Sequence, residues 1–325
     1  MTPIKQVVLT AFAASALMVG AATAQNYPTR PITVIMPFAG GSGSDVAARI
    51  VYARMAKTLG QPIIVENKPG AGGNSGTLQA AKAMPDGYTL VGAGSGPFAA
   101  NLTLYKELGY DPQKDFTLIS PFVSFTVVIT ASNKLGLNSV QDLIARARKE
   151  PGALNYGSVG IGSSQHLAGE YFAQVTGVKI THVPYRNIAQ FGPDLIAGAV
   201  PLGFAWYPNV AGPLNANGAT ALAVAGEKRL AVLPGTPTTT EVDLAQYQVD
   251  GWFGLAAPAG VPKDIIERLN KELNAALNDP EVRGNFEKVG AVPFGLGLDE
   301  SKTFLASEIA KYRDIITKAG IAKIE

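Results

Sequence analysis

The sequence predicts an α/β protein of two lobes, which the chain joins through two crossing strands. Three observations predict it. Short β-branched runs alternate with amphipathic helical stretches through most of the chain. Gly/Ser-rich loops fall where a strand gives way to a helix. Two long β runs, residues 122–130 (FVSFTVVIT) and 251–256 (GWFGLA), sit where the alternating series leaves one unit and returns to it.

The first unit opens with a strand at 31–37 (PITVIMP), followed by the loop 38–44 (FAGGSGS) and a helix from Asp45 to about Leu59. A second strand at 62–66 (PIIVE) leads to Gly70-Ala71-Gly72-Gly73, which opens a helix over 74–83. A third strand at 88–92 (YTLVG) passes through the loop 93–97 into a helix ending near Tyr105. Strands that alternate with helices predict a mainly parallel sheet covered on both faces. The second unit begins with a helix at 139–149, bounded by Pro151 and Gly152. A strand ends at 155–157, the loop 158–163 (SVGIGS) follows, and a helix runs over 164–175. A strand at 179–183, a helix near 188–197, and strands at 201–205 and 219–225 complete it. After the return run come helices at 263–278 and, broadly, 298–319. The lobes are therefore expected at residues 25–126 with 251–325, and at 127–250.

The first 24 residues read as an export signal. Lys5 gives a positive start, residues 7–20 are apolar, and Ala22-Thr23-Ala24 is the small-x-small pattern of a cleavage site before Gln25. The apolar run is shorter than the ~20 residues a membrane span needs, and no Cys at the cleavage point could take a lipid. Hydrophobic residues make up 47% of the chain and charged ones 16%, so a large core can form. A formal charge of +2 without a basic run offers no footprint for nucleic acid or an anionic membrane. The absence of Cys excludes disulfides and thiolate metal sites.

Catalysis has no visible carrier. No Ser has Gly at both offsets of a G-x-S-x-G elbow, and the chain holds two His, His166 and His182. Dinucleotide, P-loop and metal-ligand spacings are absent, and no cofactor is expected. The positive signal is the three strand-to-helix loops at 38–44, 93–97 and 158–164. A helix N-terminus presents unpartnered N–H groups and about half a positive charge, glycine lets a ligand approach, and serine adds a hydroxyl. Such termini bind anions, and ligands of open α/β sheets sit beyond the strands' carboxyl ends. Each loop is equally readable as an ordinary turn with a serine cap. Asp45 is expected to cap its helix; His166 could donate to a ligand or pack. Arg186 would meet a second carboxylate if it faced a cleft. Trp206, Tyr207 and Asn209 could wall a pocket or pack between lobes, and Trp252 and Phe253 read as core.

The segments YPTRPITVIMPFAGGSGSDVAAR, VENKPGAGGNSG, MPDGYTL, LNYGSVGIGSSQHLAGE, THVPYRN and GWFGLAAPAGVP occur in one order from Tyr27 almost to the C-terminus. Together they resemble the Bug-type substrate-binding proteins of tripartite tricarboxylate transporters. The resemblance implies a two-lobe, type II periplasmic-binding-protein fold that closes like a flytrap. It also implies a carboxylate held by Phe38, Ala39, Gly40, Gly41, Ser42 and Ser44 of the first loop and by Ser158, Gly160, Gly162, Ser163 and Ser164 of the other lobe, with Ser95 and Gly96 lining the same cleft. The implied partner is a two-component membrane permease, and a shuttle of this kind is expected to be a monomer. The chain departs from the family at Ser44, where Thr is common, after Phe204, where Ala205 and Trp206 follow and Phe-Asp is usual, and at Arg186, where Lys is commoner. These departures bear on the far end of the ligand, where Arg186, Trp206 and Asn209 are the expected contacts. A dicarboxylate or an aromatic carboxylate is favoured over citrate, whose three charges call for more cations. A sensor that reports to a membrane receptor, and a secreted hydrolase using His166, are the alternatives.

Overall fold

The computed structural model of the protein describes residues 27–318 and 320–324. The expected leader and its cleavage point lie outside them. Two sheets form two lobes.

The first lobe holds a six-stranded sheet in the order β11-β4-β10-β3-β1-β2. Strand β1 (Ile32–Met36) lies between two neighbours and is apolar at almost every position, as a strand covered on both faces must be. Strand β2 (Ile63–Asn67) is an edge, and its burial alternates. Both β2 and β3 (Thr89–Gly94) pair in parallel with β1. Helix α1 (Gly43–Leu59) joins β1 to β2. It starts at Ser42, whose hydroxyl accepts from the Asp45 N–H, and it stops at Gly60, which takes the left-handed conformation that glycine enters without a Cβ penalty. Helix α2 (Asn74–Ala81) joins β2 to β3.

Strand β4 (Phe116–Thr126) runs to the lobe boundary. After Val127 the chain continues as β5 (Val128–Ser132), in the other sheet. That sheet has the order β7-β6-β8-β5-β9, with β6 (Asn155–Ser158), β7 (Thr181–Pro184), β8 (Leu202–Ala205) and β9 (Ala219–Val224). In chain order its helices are α4 (Val140–Lys149), α5 (Ser164–Thr176), α6 (Phe191–Ala197) and α7 (Tyr207–Asn215), following the short α3 (Asn101–Leu104) of the first lobe. The chain returns through β10 (Asp250–Pro258), antiparallel to β4 with Asp250 opposite Thr126. It closes with α8 (Lys263–Leu277), α9 (Pro280–Lys288), β11 (Ala291–Pro293) and α10 (Leu298–Lys318). Helix α10 is tied to the returning strand: Glu308 accepts from the Trp252 indole N–H at 3.0 Å, and the Tyr312 hydroxyl donates to the Asp250 carbonyl at 3.0 Å.

Several expectations need correction. Neither sheet is mainly parallel, because β4, β10 and β11 in one, and β5 in the other, pair antiparallel with their neighbours. The run 122–130 is two strands in two sheets, not one. The stretch 97–105 is a π-helical turn (Gly96–Ala100) followed by one turn of α-helix, α3. Helix α9 and strand β11 escaped the reading because α9 carries few apolar residues and β11 is only three residues long. Trp206 to Asn209 form the start of a helix. Trp206 stands at the N-cap position of helix α7 without a side-chain capping bond, and the helix's second residue is Pro208, at a position that needs no N–H partner.

Candidate functional site

The first loop is held rigid from behind. Asp45 accepts from the Gly41 N–H at 2.9 Å, from Arg49 Nε at 3.0 Å and from Asn67 Nδ2 at 2.9 Å. Asn67 also donates to the Phe38 carbonyl at 2.9 Å, which ties the loop to the end of β2. Burial pushes the Asp45 carboxyl up, but these donors outweigh it and leave it below the usual range. Asp45 is thus a structural anchor, with Ser42 as the cap. The Ser42 and Ser44 hydroxyls lie 2.9 Å apart, in the first turn of α1.

The second loop is hydrogen-bonded to itself. The Gly160 N–H donates to Ser158 Oγ at 3.1 Å and the Ser163 hydroxyl to the Gly160 carbonyl at 2.7 Å. The Gly162 N–H donates to His166 Nδ1 at 3.2 Å, and the His166 N–H to Ser163 Oγ at 3.2 Å, so Ser163 caps α5. Ser158 Oγ also lies 2.6 Å from His182 Nε2. A serine and a histidine therefore meet, yet Ser158 is 0% exposed and its hydroxyl is engaged by the loop and the imidazole. The two imidazoles face each other at 4.1 Å between ring centres. Burial lowers His166 to about 4. Burial and the adjacent His166 lower His182 to about 3. Both rings are neutral at pH 7.

Between these loops lies a cavity of about 640 Å³, within the usual range for small-molecule sites. The first lobe contributes Pro37, Phe38, Ala39, Ser42, Pro69 to Gly73, and Tyr105; the second contributes Val159, Gly160, Ile161, Pro184, Tyr185, Arg186 and Ile188. Of the residues singled out in the sequence, Phe38, Ala39, Ser42, Gly160 and Arg186 line it. Gly40 and Gly41 are exposed and do not line it. Ser44, Ser95, Gly96, Ser158, Gly162, Ser163 and Ser164 are buried behind the walls. Trp206 is 3% exposed, stacked on Phe125 at 5.2 Å and edge-on to Phe253 at 5.0 Å, where the chain crosses between lobes. Asn209 accepts from Gln165 Nε2 at 3.0 Å, beside it in α7. Trp206 and Asn209 therefore do not wall this cavity.

The segment after β2, expected only to open a helix, is a fourth glycine loop beyond a strand's carboxyl end, and Gly70 to Gly73 line the cavity. It closes on the opposite lobe. A Cβ on Gly72 would overlap the Ile161 carbonyl oxygen, and one on Gly96 would lie 3.1 Å from the Gly162 carbonyl oxygen. The Tyr105 hydroxyl donates to the Ile161 carbonyl at 3.5 Å. The lobes are in contact along this edge of the cleft. Among the described residues no cluster of three His, Cys, Asp or Glu side chains could hold a metal, and no helix is long and apolar enough to cross a membrane.

Two α/β lobes, two crossing strands and a cavity between loops at the strands' carboxyl ends define a periplasmic solute-binding protein. Residues 47–321 match the family described as the tripartite tricarboxylate transporter family receptor, and the chain belongs to that family. It is 33% identical over 310 residues to protein BugT of Bordetella pertussis, covering 95% of each chain. Two solved structures show the same fold at useful identity. One, R. palustris Rpa4515 with adipate, is 34% identical with a TM-score of 0.88, covering 92% of this chain and 100% of that one. The other, MatC from Rhodopseudomonas palustris with bound malate, is 30% identical with a TM-score of 0.81, covering 89% and 100%. The family is one of binding proteins, not enzymes.

Proposed function

We propose that this protein captures a small carboxylate, a dicarboxylate or an aromatic carboxylate, between its lobes and delivers it to a two-component membrane permease. The observation that carries the reading is the cavity itself, walled by the N-terminal loop of α1 on one side and by the loops after β6 and β7 on the other. The first turns of α1 and α5 both offer amide groups without intrahelical partners, at Gly43 and Ser44 and at Ser164 and Gln165. The Gly41 N–H of one loop and the Gly160 and Gly162 N–H groups of the other are engaged by their own loops and hold them in shape. Charged hydrogen bonds contribute on the order of 1.5–3 kcal/mol each, so three supply about 5–9 kcal/mol, and burial of the ligand's apolar part must add the rest of what micromolar binding and the cost of association require. Adipate and malate in the two related structures support a carboxylate ligand.

In this reading residues 25–126 with 251–325 and residues 127–250 move as two bodies about β4 and β10. The chain is exported with its first 24 residues as leader, cut before Gln25, and works as a monomer.

The test is thermal unfolding of the mature protein with mono-, di- and tricarboxylates, with amino acids and sugars as controls. A ligand at a thousand times its dissociation constant adds about 4 kcal/mol, and a rise of several degrees in Tm is expected with one carboxylate class only. No rise with any carboxylate, and none found by mass spectrometry in the purified protein, would sink the proposal.

A further inference from the structure

Helix α3 and the residue after it meet the second loop of the other lobe. Asn101 and Tyr105 stand against Gly162: a Cβ there would come within 2.7 Å of Asn101 Oδ1 and 3.1 Å of the Tyr105 ring. The Tyr105 hydroxyl donates to the neighbouring Ile161 carbonyl at 3.5 Å. Yet α3 is four residues long, too short to hold itself, and the π-helical turn before it has poorer geometry than an α-helix. Its far end is held by the chain that follows α10. That chain turns at Gly320, at φ +61°, and the Ile321 N–H donates back to the Ile316 carbonyl at 3.2 Å. It then runs beside Tyr105. The Ile324 N–H donates to the Leu104 carbonyl at 2.8 Å, one of the carbonyls that a helix end leaves without an intrahelical partner. The Lys106 N–H donates in turn to the Ile324 carbonyl at 3.0 Å, so Ile324 grips the main chain on both sides of Tyr105. Ile321 and Ile324 pack against the first-lobe cluster that holds Leu104, Tyr105 and Tyr312, while Ala322 and Lys323 between them are exposed. Ile324 also lines the cavity, as Tyr105 does. A segment beyond a last helix frays unless something ties it down. Here two main-chain bonds and two isoleucines do so, and what they secure is a contact between lobes.

We infer that residues 321–324 are a clasp. They hold Tyr105 in the place from which it meets Ile161 and Gly162, and so set how firmly the cleft shuts at this edge. Ile324 is a positioning residue that acts on the other lobe through Tyr105. The inference rests on the two-lobe reading above and is independent of the class of ligand.

Hydrogen exchange followed by mass spectrometry tests it on the mature protein, alone and with hexanedioate or malate added. Ile324→Pro removes the N–H that reaches Leu104. The Lys106 amide should then exchange about tenfold faster than in the wild type, and the amides of residues 160–163 on the other lobe about threefold faster, the scale set by the loss of ordinary hydrogen bonds. Tyr105→Ala, which leaves the main-chain clasp in place, should speed residues 160–163 in the same way. Ile324→Val keeps both bonds and most of the packing, and should match the wild type at all of these amides. Faster exchange at Lys106 with residues 160–163 unchanged, with and without acid, would overturn the clasp and leave residues 321–324 a local support of α3. So would unchanged exchange at 160–163 in Tyr105→Ala. If Ile324→Pro does not fold, Ile324→Gly carries the same reading, since it keeps the N–H but removes the packed side chain and frees the backbone. Failure here leaves the carboxylate reading, which thermal unfolding judges, untouched.

Discussion

His166 and His182 show how a residue's role follows from its neighbours. Each would be an ordinary titrating group on a surface, but here they stack in the second lobe beside Tyr156, Ser158 and Glu170. The Gly162 N–H donates to His166 Nδ1, so this ring holds the loop only when that nitrogen is unprotonated. Both imidazoles titrate well below 6.5 in the folded protein, so the unfolded chain binds more protons than the native one as pH falls from about 6.5. Their contribution to stability is complete above the unfolded value and is lost as pH falls toward about 4 for His166 and about 3 for His182. For His166 the loss is on the order of 3 kcal/mol. Urea unfolding between pH 7 and 4 should show this fall, and His166→Asn, which keeps an acceptor for the Gly162 N–H, should flatten it. An unchanged slope in that variant would place the pH dependence elsewhere.

At the scale of elements, the crossing from β4 to β5 and back through β10 is held by an aromatic cluster. Trp206, from the cap of α7, lies against Phe125 at the end of β4 and Phe253 near the start of β10. Gly43 and Gly251 leave room for it: a Cβ on Gly43 would stand 3.2 Å from the indole, and one on Gly251 would stand 2.5 Å from it. One side chain therefore touches α1, α7 and both crossing strands. Trp206→Ala should cost about 3–5 kcal/mol, the usual loss when a large aromatic leaves a packed core, measured as a lowered urea midpoint. A cost under about 1 kcal/mol would show that the cluster does not hold the crossing.

At the scale of the molecule, closure depends on how nearly the lobes can approach at the edge of the cavity. Gly72 takes φ +62°, and a Cβ there would meet the Ile161 carbonyl of the other lobe. Gly72→Ala should hold the cleft partly open, at a cost to the isolated backbone of only about 1 kcal/mol for the left-handed conformation. Small-angle scattering should then show a larger radius of gyration with saturating ligand than the wild type has, and a several-fold weaker affinity. A wild-type radius and affinity would remove Gly72 from the closing contact.

The helix starts at Ser139 and Ser163, the strands that alternate with the helices, and the order of the two crossings were legible in the sequence, because caps, periodicity and β-branched runs are local properties of the chain; α1, expected to start and be capped at Asp45, is capped at Ser42 instead. Which loop residues face the ligand space was not legible. Ser42 lines the cavity and Ser44, two residues on, does not, although both are buried, and the hydroxyls of Ser42, Ser158 and Ser163 are engaged by their own loops. Residue type alone does not distinguish a serine that points into a cleft from one that closes a turn. Antiparallel insertion of β4 and β10 among parallel strands, the seat of Trp206 between lobes, and the exposure of Arg186 to the cavity all arise from contacts between segments distant in sequence. Those contacts are set by which surfaces the two lobes bury against each other, and only the tertiary structure decides them.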